Sequence, residues 1–368
     1  MRVAWEQLAT MSTVRLMAVP PHSAHSECGR KAEVVAERIL ISRLRYMGDV
    51  VLTTPCIRRL KDNFPRARID YLSQAPYGEL LHNNPFLDRV ISVDVCGAGT
   101  SGSLRLMWEL CRTRYDLAID LLSNPRSALL TASTVARRRV GTYHLSRSWA
   151  YNINVRVPVS VRSAVEHHLE HLKVLGLEAS TSRPELFVTD DELMRGEHLL
   201  KKAGVETPSR TMLLQPGAKW QAKRWPARRF AELAEALSGN GFGVAFLAGP
   251  GEEPYVRSVL SVRPEFPVVS GLGLRELVCA LSAAAGYAGN DGGPAHVSAA
   301  LGRPTVVLFG PSEPDIWFPY GTEGRALCVY EEIPCRPCHL HFCEDVRCLE
   351  AISVERVVSE LKSVVDRV

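Results

Sequence analysis

The sequence predicts an α/β protein in which two halves, each built on a parallel β-sheet, face each other across a cleft. Its length of 368 residues exceeds what one hydrophobic core usually spans, so two domains are expected. From Arg38 onward, short apolar runs alternate with longer amphipathic stretches, which is the pattern of repeated strand and helix units. The alternation weakens between residues 176 and 208 and then restarts, which indicates a linker between two halves of similar size.

The first half opens with the apolar run Ile39–Ser42, which predicts a strand, followed by a turn at residues 43–48. An amphipathic stretch from about Asp49 to Asn63 then predicts a helix, and Pro65 ends it because proline cannot continue a helix. The same reasoning predicts the other elements of this half, which are strands at Ile69–Leu72, Val90–Val93 and Leu117–Leu121 and helices at Leu104–Cys111 and Val161–Leu175.

The second half repeats the pattern, and a final amphipathic stretch, Val354–Val365, predicts a helix that closes the chain. We predict domains at residues 37–190 and 191–352, with a loose N-terminal extension at 1–36 and the closing helix within 353–368. The predicted strands of this half are Met212–Gln215, Gly243–Leu247, Val268–Val269, Tyr287–Ala288 and Thr305–Phe309, and its helices are Ala227–Leu237, Glu253–Leu260, Leu274–Ala284 and Ala295–Leu301.

Composition excludes several classes of protein. With 46% hydrophobic and 23% charged residues, the chain is neither disordered nor collagen-like. A net charge of +4 is too small for a protein built to coat nucleic acid. The longest apolar stretches, such as Leu277–Gly289, are well short of the roughly twenty residues that a membrane span needs. Ten cysteines without a recognisable secretion signal favour reduced thiols, and hence a cytoplasmic protein.

Two short motifs match known signatures but have simpler interpretations. Residues Gly97 to Gly102 fit the G-x-G-x-x-G pattern of dinucleotide-binding loops, yet they follow the third predicted strand rather than the first, and a flexible loop explains them. Residues His167 to His171 fit H-x-x-E-H, the inverted zinc-protease signature. A helix edge with solvated histidines is the alternative, since no third ligand is marked.

A cysteine cluster near the C-terminus is spaced C-x2-C-x4-C-x4-C and consists of Cys335, Cys338, Cys343 and Cys348. Four thiolates satisfy a tetrahedral structural zinc site, and reduced thiols without metal are the alternative. A catalytic metal is not expected, because four thiolates leave no open coordination position. We therefore predict no metal or cofactor in the reaction.

Loops at the carboxyl ends of predicted strands carry the polar residues expected in the cleft. In the first loop, Gly48 supplies backbone freedom and Asp49 stands at a helix start, where the helix dipole favours a carboxylate. An ordinary helix cap is the alternative for Asp49. A second loop holds Lys219, Lys223 and Arg224, which form a cationic group suited to a diphosphate.

A third loop combines small residues with charge before a helix. Backbone N–H groups at Gly292 and Gly293 can approach an anion closely, and the helix start favours negative charge there. Asp291 would repel phosphate unless it faces a hydroxyl or a backbone donor. A fourth strand-end loop holds Glu252, whose carboxylate suits a ribose or sugar hydroxyl, although a plain turn explains it equally well.

In this order, the loops resemble those of the ADP-heptose:lipopolysaccharide heptosyltransferases, glycosyltransferase family 9, over roughly residues 38–366. The matching motifs are the segment of residues 48–55 beginning Gly48-Asp49, Pro216-Gly217-Ala218 followed by Lys223-Arg224-Trp225-Pro226, and the segment of residues 290–296. The segment Phe309-Gly310-Pro311-Ser312 and the late Cys-rich stretch are also similar to the second-heptose branch of the family. The resemblance implies a GT-B fold, with the acceptor on the first Rossmann-like domain, the nucleotide sugar on the second, and the terminal helix crossing back to the first domain.

The family's functional residues fall on positions that the loops already mark. The resemblance implies that Asp49 is the catalytic base and Lys223 the phosphate-binding lysine. It also implies that the donor contacts fall on Asp291, Gly292, Gly293 and His296, with Glu252 on a sugar or ribose hydroxyl.

The resemblance implies an inverting glycosyltransferase that moves a heptose from ADP-heptose to a lipid-linked inner-core acceptor of lipopolysaccharide. We expect a monomer that is cytoplasmic and peripheral at the inner membrane, with no nucleic-acid partner. Basic residues of the first half would dock the anionic acceptor, although an ordinary solvated helix face is the alternative. Those residues are Arg43, Arg45, Arg58, Arg59 and Lys61.

Other functions fit the same sequence. A glycan or a protein could replace the lipid-linked acceptor, and a nucleotide-sugar epimerase would show two similar halves. A zinc-stapled binding protein would use the cysteine cluster and the basic loops without any sugar transfer.

Overall fold

The computed structural model describes residues 36–94, 99–177, 181–262, 265–318 and 325–367. The predicted N-terminal extension, apart from Ala36, lies outside the described residues, as do Gly97 and Ala98 of the glycine motif. Within the described part, the strands form two parallel sheets, as the sequence predicts, but each sheet has six strands, because β5 (Arg138–Thr142), β6 (Ile153–Val155) and β12 (Ala326–Val329) were not predicted.

The first sheet has β1 at its centre, where Ile39, Leu40 and Ile41 are all buried. Burial of every side chain on a strand is expected when helices cover both faces of a parallel sheet. The strand order is β3-β2-β1-β4-β5-β6. The strands are β1 (Arg38–Ser42), β2 (Arg68–Gln74), β3 (Arg89–Val93), β4 (Leu117–Asp120), β5 (Arg138–Thr142) and β6 (Ile153–Val155), and the helices are α1 (Met47–Val51), α2 (Thr54–Asn63), α3 (Gly99–Thr113), α4 (Pro125–Ser133) and α5 (Ala164–Lys173).

The second sheet has the order β12-β11-β10-β7-β8-β9 and surrounds a core rich in leucine, valine and phenylalanine. Its strands are β7 (Thr211–Gln215), β8 (Gly243–Leu247), β9 (Val268–Val269), β10 (Gly286–Asn290), β11 (Thr305–Leu308) and β12 (Ala326–Val329). Its helices are α6 (Asp190–Lys202), α7 (Ala227–Gly239), α8 (Glu253–Val259), α9 (Leu274–Ala283), α10 (Gly293–Ala300), α11 (Pro314–Trp317), α12 (Arg347–Glu350) and α13 (Val354–Val365).

Several helices differ from the sequence prediction, since α4, α6, α11 and α12 were not predicted and two further differences concern the other helices. The helix predicted from Asp49 to Asn63 is divided into α1 and α2, because the Thr53 and Thr54 hydroxyls bond back to carbonyls of α1 and Pro55 has no N–H to continue the ladder. The closing helix α13 packs with α7 and the second sheet, so its contacts do not show the return to the first half that the resemblance implies.

The histidine motif lies on α5, where His168 and His171 are buried rather than solvated. His171 Nε2 lies 2.9 Å from the Thr142 hydroxyl, and its Nδ1 lies 3.2 Å from the His167 carbonyl. Burial lowers the pKa of His171 to about 4. These contacts give His171 a structural role in linking α5 to β5.

A buried arginine joins the two halves at the linker. Arg275, on α9, donates to the Leu80 carbonyl of the first half (3.2 Å) and to the Phe187 carbonyl of the linker (2.7 Å). It also forms a two-pronged ion pair with Glu192 on α6, at 2.8 and 2.6 Å. This pairing lowers the pKa of Glu192. We call this group the Arg275 junction.

Among the described residues, every helix is too short or too polar to cross a lipid bilayer.

Candidate active site

Asp49 lies in the first turn of α1, immediately beyond the carboxyl end of β1. Its Oδ2 accepts a hydrogen bond from the Tyr46 backbone N–H at 2.9 Å, so Asp49 is not the N-cap residue that the sequence offered as an alternative but the third helical residue, which bonds back to the N-cap Tyr46. Its Oδ1 forms an ion pair with Arg43 at 2.5 Å. A carboxylate has about four acceptor positions, so these two bonds leave Asp49 able to accept a further proton donor.

The helix that carries Asp49 touches the glycine loop of the second half directly. A methyl group added at Gly48 would lie 2.8 Å from Cδ2 of His296, and one added at Gly293 would lie 2.5 Å from Sδ of Met47. Because real Cβ contacts are not this short, a side chain at either position would force His296 or Met47 to shift or the two helices to separate. The structure thus brings Gly48, Gly293 and His296 to one boundary between the halves.

Lys223 and Asp291 form a partly buried ion pair, with Nζ and Oδ2 at 2.5 Å. The Ser312 hydroxyl donates to the same carboxylate oxygen at 2.6 Å. Asp291 therefore faces a hydroxyl donor and a cation rather than an anionic ligand, which meets the condition set by the sequence. The Lys223 ammonium also lies 4.6 Å from the centre of the Trp220 ring, a cation–π distance.

The other residues of the basic loop point in different directions. Lys219 lies 5.1 Å from the centre of the Tyr46 ring, next to the first half. Arg224 instead bonds the Ala218 carbonyl at 3.0 Å and stacks over Tyr255, so it stabilises the loop. Lys219 lines the cavity between the halves, and Arg224 is not among its lining residues.

Glu252 packs against the glycines of two strand-end loops. Its Oε2 accepts from the Gly249 backbone N–H at 3.0 Å and from the Gln215 amide at 3.3 Å. A methyl group added at Gly217 would lie 2.2 Å from that carboxylate, so any larger residue there would displace the Glu252 side chain from its present position. These contacts fix the Glu252 carboxylate at the cavity wall.

A cavity of about 700 Å³ opens between the two halves. The first half contributes Met47, Pro76, Tyr77 and Glu79 to its wall. The second half contributes an apolar side and a polar side. The apolar side includes Leu247, Leu272 and Leu277, and the polar side includes Lys219, Lys223, Glu252, Asp291, Gly292 and Gly293. A cavity of this size and mixed lining is typical of a small-molecule site.

His296 connects the charges of the two halves. The ring is buried, and this burial lowers its pKa, while the Asp291 and Asp49 carboxylates act in the opposite direction and Lys223 adds to the lowering. Carboxylates from both halves therefore lie close enough to act on one imidazole. Asp49 of the first half and the Lys223–Asp291 pair of the second thus lie near the same side chain, although Asp49 is not among the residues that line the cavity, and its place in one site with them stays a prediction.

Three residues that complete the site were not assigned to it from the sequence. Arg43, which was expected at the acceptor, holds Asp49 and donates to the Leu121 carbonyl. Asn290 accepts from the Trp225 N–H and donates to the Pro216 carbonyl, which ties the basic loop to the glycine loop. Ser312 fixes Asp291. The Phe309-Gly310-Pro311-Ser312 segment was the available signal for Ser312.

The expected acceptor-docking role of the basic residues is wrong for Arg59. This side chain is 95% buried and donates to the Leu169 carbonyl at 3.1 Å, because α5 covers it. Arg58 pairs with Asp62 and Glu185, and Lys61 caps the Ala67 carbonyl. Of this set, Arg45 is the exposed member.

Three residues of the cysteine cluster, Cys335, Cys338 and Cys343, lie on a loop that contacts the basic loop, whereas Cys348 is buried on α12. The four thiols are free, and no group of three or more His, Cys, Asp or Glu side chains in the described ranges is placed to hold a metal ion. His341 of this loop stacks on Trp220 at 3.8 Å between ring centres, and the Cys343 N–H bonds the Gln221 side chain at 3.0 Å. The loop therefore supports Trp220 at the cavity wall.

Comparisons with known proteins agree with this architecture. The model of glycosyltransferase family 9 (heptosyltransferase) matches residues 103–344. The chain is 27% identical to lipopolysaccharide heptosyltransferase 3 of Escherichia coli K12, over 75% of this chain and 83% of that protein. It is 28% identical to lipopolysaccharide heptosyltransferase 2 of Salmonella typhimurium, over 79% of this chain and 87% of that protein.

Solved structures show the same fold. The family 9 glycosyl transferase of Veillonella parvula superposes with a TM-score of 0.78 at 24% identity, covering 90% of this chain and 98% of that one. The E. coli ADP-heptose lps heptosyltransferase II superposes with a TM-score of 0.75 at 23% identity, covering 90% and 99%. The predicted GT-B fold is confirmed, and since the family model spans well over half of the chain, this protein belongs to glycosyltransferase family 9, the heptosyltransferase family.

Proposed function

We propose that this enzyme is an inverting glycosyltransferase that transfers a heptose from ADP-heptose to a lipid-linked inner-core acceptor of lipopolysaccharide. The observation that carries the proposal is that the buried His296 lies close to Asp49 of the first half and to the Lys223–Asp291 pair of the second, and that this pair lines the cavity between the halves. Relatives named as lipopolysaccharide heptosyltransferases and ADP-heptose heptosyltransferase support the donor and acceptor classes.

In this mechanism, Asp49 is the general base. The acceptor hydroxyl oxygen attacks the anomeric carbon, its proton passes to the Asp49 carboxylate, and the bond from that carbon to the diphosphate oxygen breaks to release ADP. Attack on the face opposite ADP inverts the anomeric configuration. A carboxylate in this position contributes typically 10²–10⁴-fold to the rate. The Arg43 ion pair and the Tyr46 N–H hold the base in place.

Lys223 is the phosphate-binding residue. Its ammonium has three donors, so it can keep Asp291 and still donate to a diphosphate oxygen. Backbone N–H groups at the start of α10, next to Gly292 and Gly293, add to the stabilisation of the negative charge that grows on the leaving group. Ser312 and Asp291 fix the lysine before the donor arrives, which lowers the cost of reorganisation.

The rest of the cavity suits a nucleoside. The apolar side, with Leu247, Leu272 and Leu277, can cover the faces of a purine, and the Glu252 carboxylate can accept ribose hydroxyls. Contact between α1 and α10 would limit the access of water to the Asp49 carboxylate, whose side chain is 21% exposed. This arrangement favours transfer to the acceptor over hydrolysis of the donor.

The test compares two substitutions that act on different steps. Asp49→Asn is expected to leave ADP affinity near the wild-type value and to lower kcat about 10²–10⁴-fold. Lys223→Met is expected to weaken ADP binding about 10–100-fold, since it removes a charge-assisted hydrogen bond. Binding is measured by calorimetry, and transfer by mass spectrometry with a truncated core acceptor. The matched controls Asp191→Asn and Lys201→Met lie on the exposed face of α6 and should change neither quantity.

Lys223→Met leaves the buried Asp291 unpaired, so the double variant Lys223→Met/Asp291→Asn provides a folded comparison. Unchanged transfer by Asp49→Asn would exclude the base role. Unchanged ADP affinity in both Lys223 variants would exclude the phosphate role. Consumption of the donor without any acceptor would indicate epimerisation or hydrolysis instead of transfer.

A further inference from the structure

The stretch from residue 121 to residue 165 has an unusual charge. Its 45 residues contain no Asp or Glu and seven Arg. Because the whole chain carries only +4, the remaining residues together carry −3. The excess positive charge is therefore concentrated in one segment of the first half rather than spread over the surface.

The elements of this segment lie side by side on the first sheet. Helix α3 packs against α4, and α4 packs against the 3₁₀ turn Ser148–Ala150. Right-handed crossovers from β3 to β4 and from β4 to β5 place α3 and α4 on the same face of the sheet. They form one continuous outer layer.

That layer exposes large apolar side chains. Of the fifteen exposed large hydrophobic side chains in the described residues, eight lie between residues 104 and 159. Leu145 is 83% exposed, Trp149 62% and Trp108 61%, and Leu104 and Leu129 are also exposed. We call these five side chains the docking face. An apolar set of this size on one layer marks an interaction surface.

Arginines border the docking face without carboxylate partners. Arg112 lies over the Trp108 ring at 5.1 Å, and Arg156 lies over the Tyr143 ring at 4.2 Å. Within the described ranges, no ion pair joins Arg126, Arg147 or Arg156 to an acidic side chain. Cationic heads beside exposed Trp and Leu match the headgroup and acyl boundary of an anionic lipid layer.

The docking face adjoins the acceptor side of the cleft. The loop of residues 143–149 follows β5, at the same carboxyl edge of the sheet where α1 carries Asp49. Arg147 donates to the Ser123 carbonyl, and Arg43, the partner of Asp49, donates to the Leu121 carbonyl. Both arginines therefore hold the chain just beyond β4. A surface seated on this layer would lie beside the proposed base.

We propose that the docking face binds the surface of a bilayer that contains anionic phospholipid, with Leu145 and Trp149 inserted at the interface and the arginines on lipid phosphates. This inference rests on the proposed function, since a lipid-linked acceptor reaches the enzyme from such a surface. A second copy of the chain is a poorer partner, because two such faces in contact would juxtapose like charges. An acidic protein would not need the exposed tryptophans.

The experiment measures flotation of the full chain with vesicles, without donor or acceptor. One set of vesicles is phosphatidylethanolamine with a minority of phosphatidylglycerol, and the other is phosphatidylcholine alone. We expect binding to the first set, and at least about tenfold weaker partition in Leu145→Ser/Trp149→Ser. Arg126→Gln/Arg156→Gln should weaken partition about fivefold for each arginine, and added salt should reproduce this loss.

The matched control is Val174→Ser/Met194→Ser, which removes exposed apolar side chains away from the docking face and should bind as the wild type does. Transfer to a soluble truncated acceptor should be unchanged in Leu145→Ser/Trp149→Ser, so loss of docking is separable from loss of catalysis. Thermal melting confirms folding of each variant.

Three results would overturn the proposal. These are no binding of the wild type to anionic vesicles, equal binding to both vesicle types, and wild-type binding by both face variants. A concentration-dependent dimer that Leu145→Ser/Trp149→Ser abolishes, without vesicle binding, would assign the face to self-association instead.

Discussion

Substitution of Gly48 by Ala tests whether the approach of α1 to α10 is required for catalysis. The added methyl carbon would lie 2.8 Å from Cδ2 of His296, whereas favourable carbon contacts are about 3.5–4.0 Å. The helices must therefore separate by about 0.7–1.2 Å, or the buried imidazole must move by that amount. His296 is packed near Phe318, with ring centres 6.2 Å apart, so its retreat is obstructed.

The two energetic effects of this substitution oppose each other. Overpacking costs about 1–3 kcal/mol, while replacing glycine by alanine within a helix recovers about 0.5–1 kcal/mol. The free energy of unfolding should fall by about 0–2.5 kcal/mol, which leaves the protein folded. Catalysis is more sensitive, since a displacement of about 1 Å at the reacting groups can cost about 10²-fold in rate.

The assay is steady-state transfer with a truncated acceptor, together with urea unfolding. Gly239→Ala is the control, because a methyl group there meets no atom within 4 Å. Gly239, like Gly48, is a helical residue, and it is the last residue of α7. We expect kcat to fall about 100-fold in Gly48→Ala and to be unchanged in Gly239→Ala. Wild-type kcat in a folded Gly48→Ala would refute the claim that the α1–α10 contact positions the base.

Two further predictions concern the residues behind the site. Ser312→Ala removes a hydrogen bond to the buried Asp291 carboxylate, so the free energy of unfolding should fall by about 1.5–3 kcal/mol. The donor KM should rise, because Asp291, the partner of Lys223, is then no longer held in place by Ser312. An unchanged KM would exclude this positioning role. The His171 pKa of about 4 lies below its unfolded value of about 6.5, so stability should be lost as pH falls from about 6.5 to 4, by up to about 1.4 kcal/mol per pH unit. Urea unfolding across this range should show a shallower pH dependence in His171→Gln, whereas the exposed control His198→Gln should keep the wild-type slope; equal slopes in all three proteins would contradict the assignment.

Apolar strands and strongly amphipathic helices were predictable from the sequence. Val268–Val269 and Val354–Val365 have the predicted limits, because their side chains enter the core with regular spacing. Strand β5 was not predicted, because it begins with two arginines, Arg138 and Arg139, instead of an apolar run. Of its five residues, only Val140 and Gly141 are buried. Helix α6 was read as linker because few of its residues are buried, although Thr189 and Glu192 form a capping box at its start.

The loop motifs identified candidate site residues, but they did not predict the tertiary contacts that hold those residues in place. Glycine at positions 48 and 293 could be marked from the sequence, but the neighbours that a side chain at either position would displace, His296 and Met47, come from the opposite half. The same limit applies to Arg43, whose charge suggested an anionic acceptor until the structure placed it on Asp49. A charge in the sequence does not identify its partner, because the partner is set by the tertiary fold.

The Arg275 junction and the α1–α10 contact, which both join the two halves, differ in the free energy needed to break them. Removing the guanidinium from Glu192 and two carbonyls would strand a buried charge, at a cost of about 3–5 kcal/mol, whereas α1 and α10 meet through glycines and van der Waals surfaces. If the two halves of the enzyme move apart, we therefore expect the Arg275 junction to stay intact as the hinge and the contact between α1 and α10 to separate. We predict that the nucleotide product of the proposed reaction leaves between Met47 and Gly293, and that the rate of its release depends on how readily α1 separates from α10.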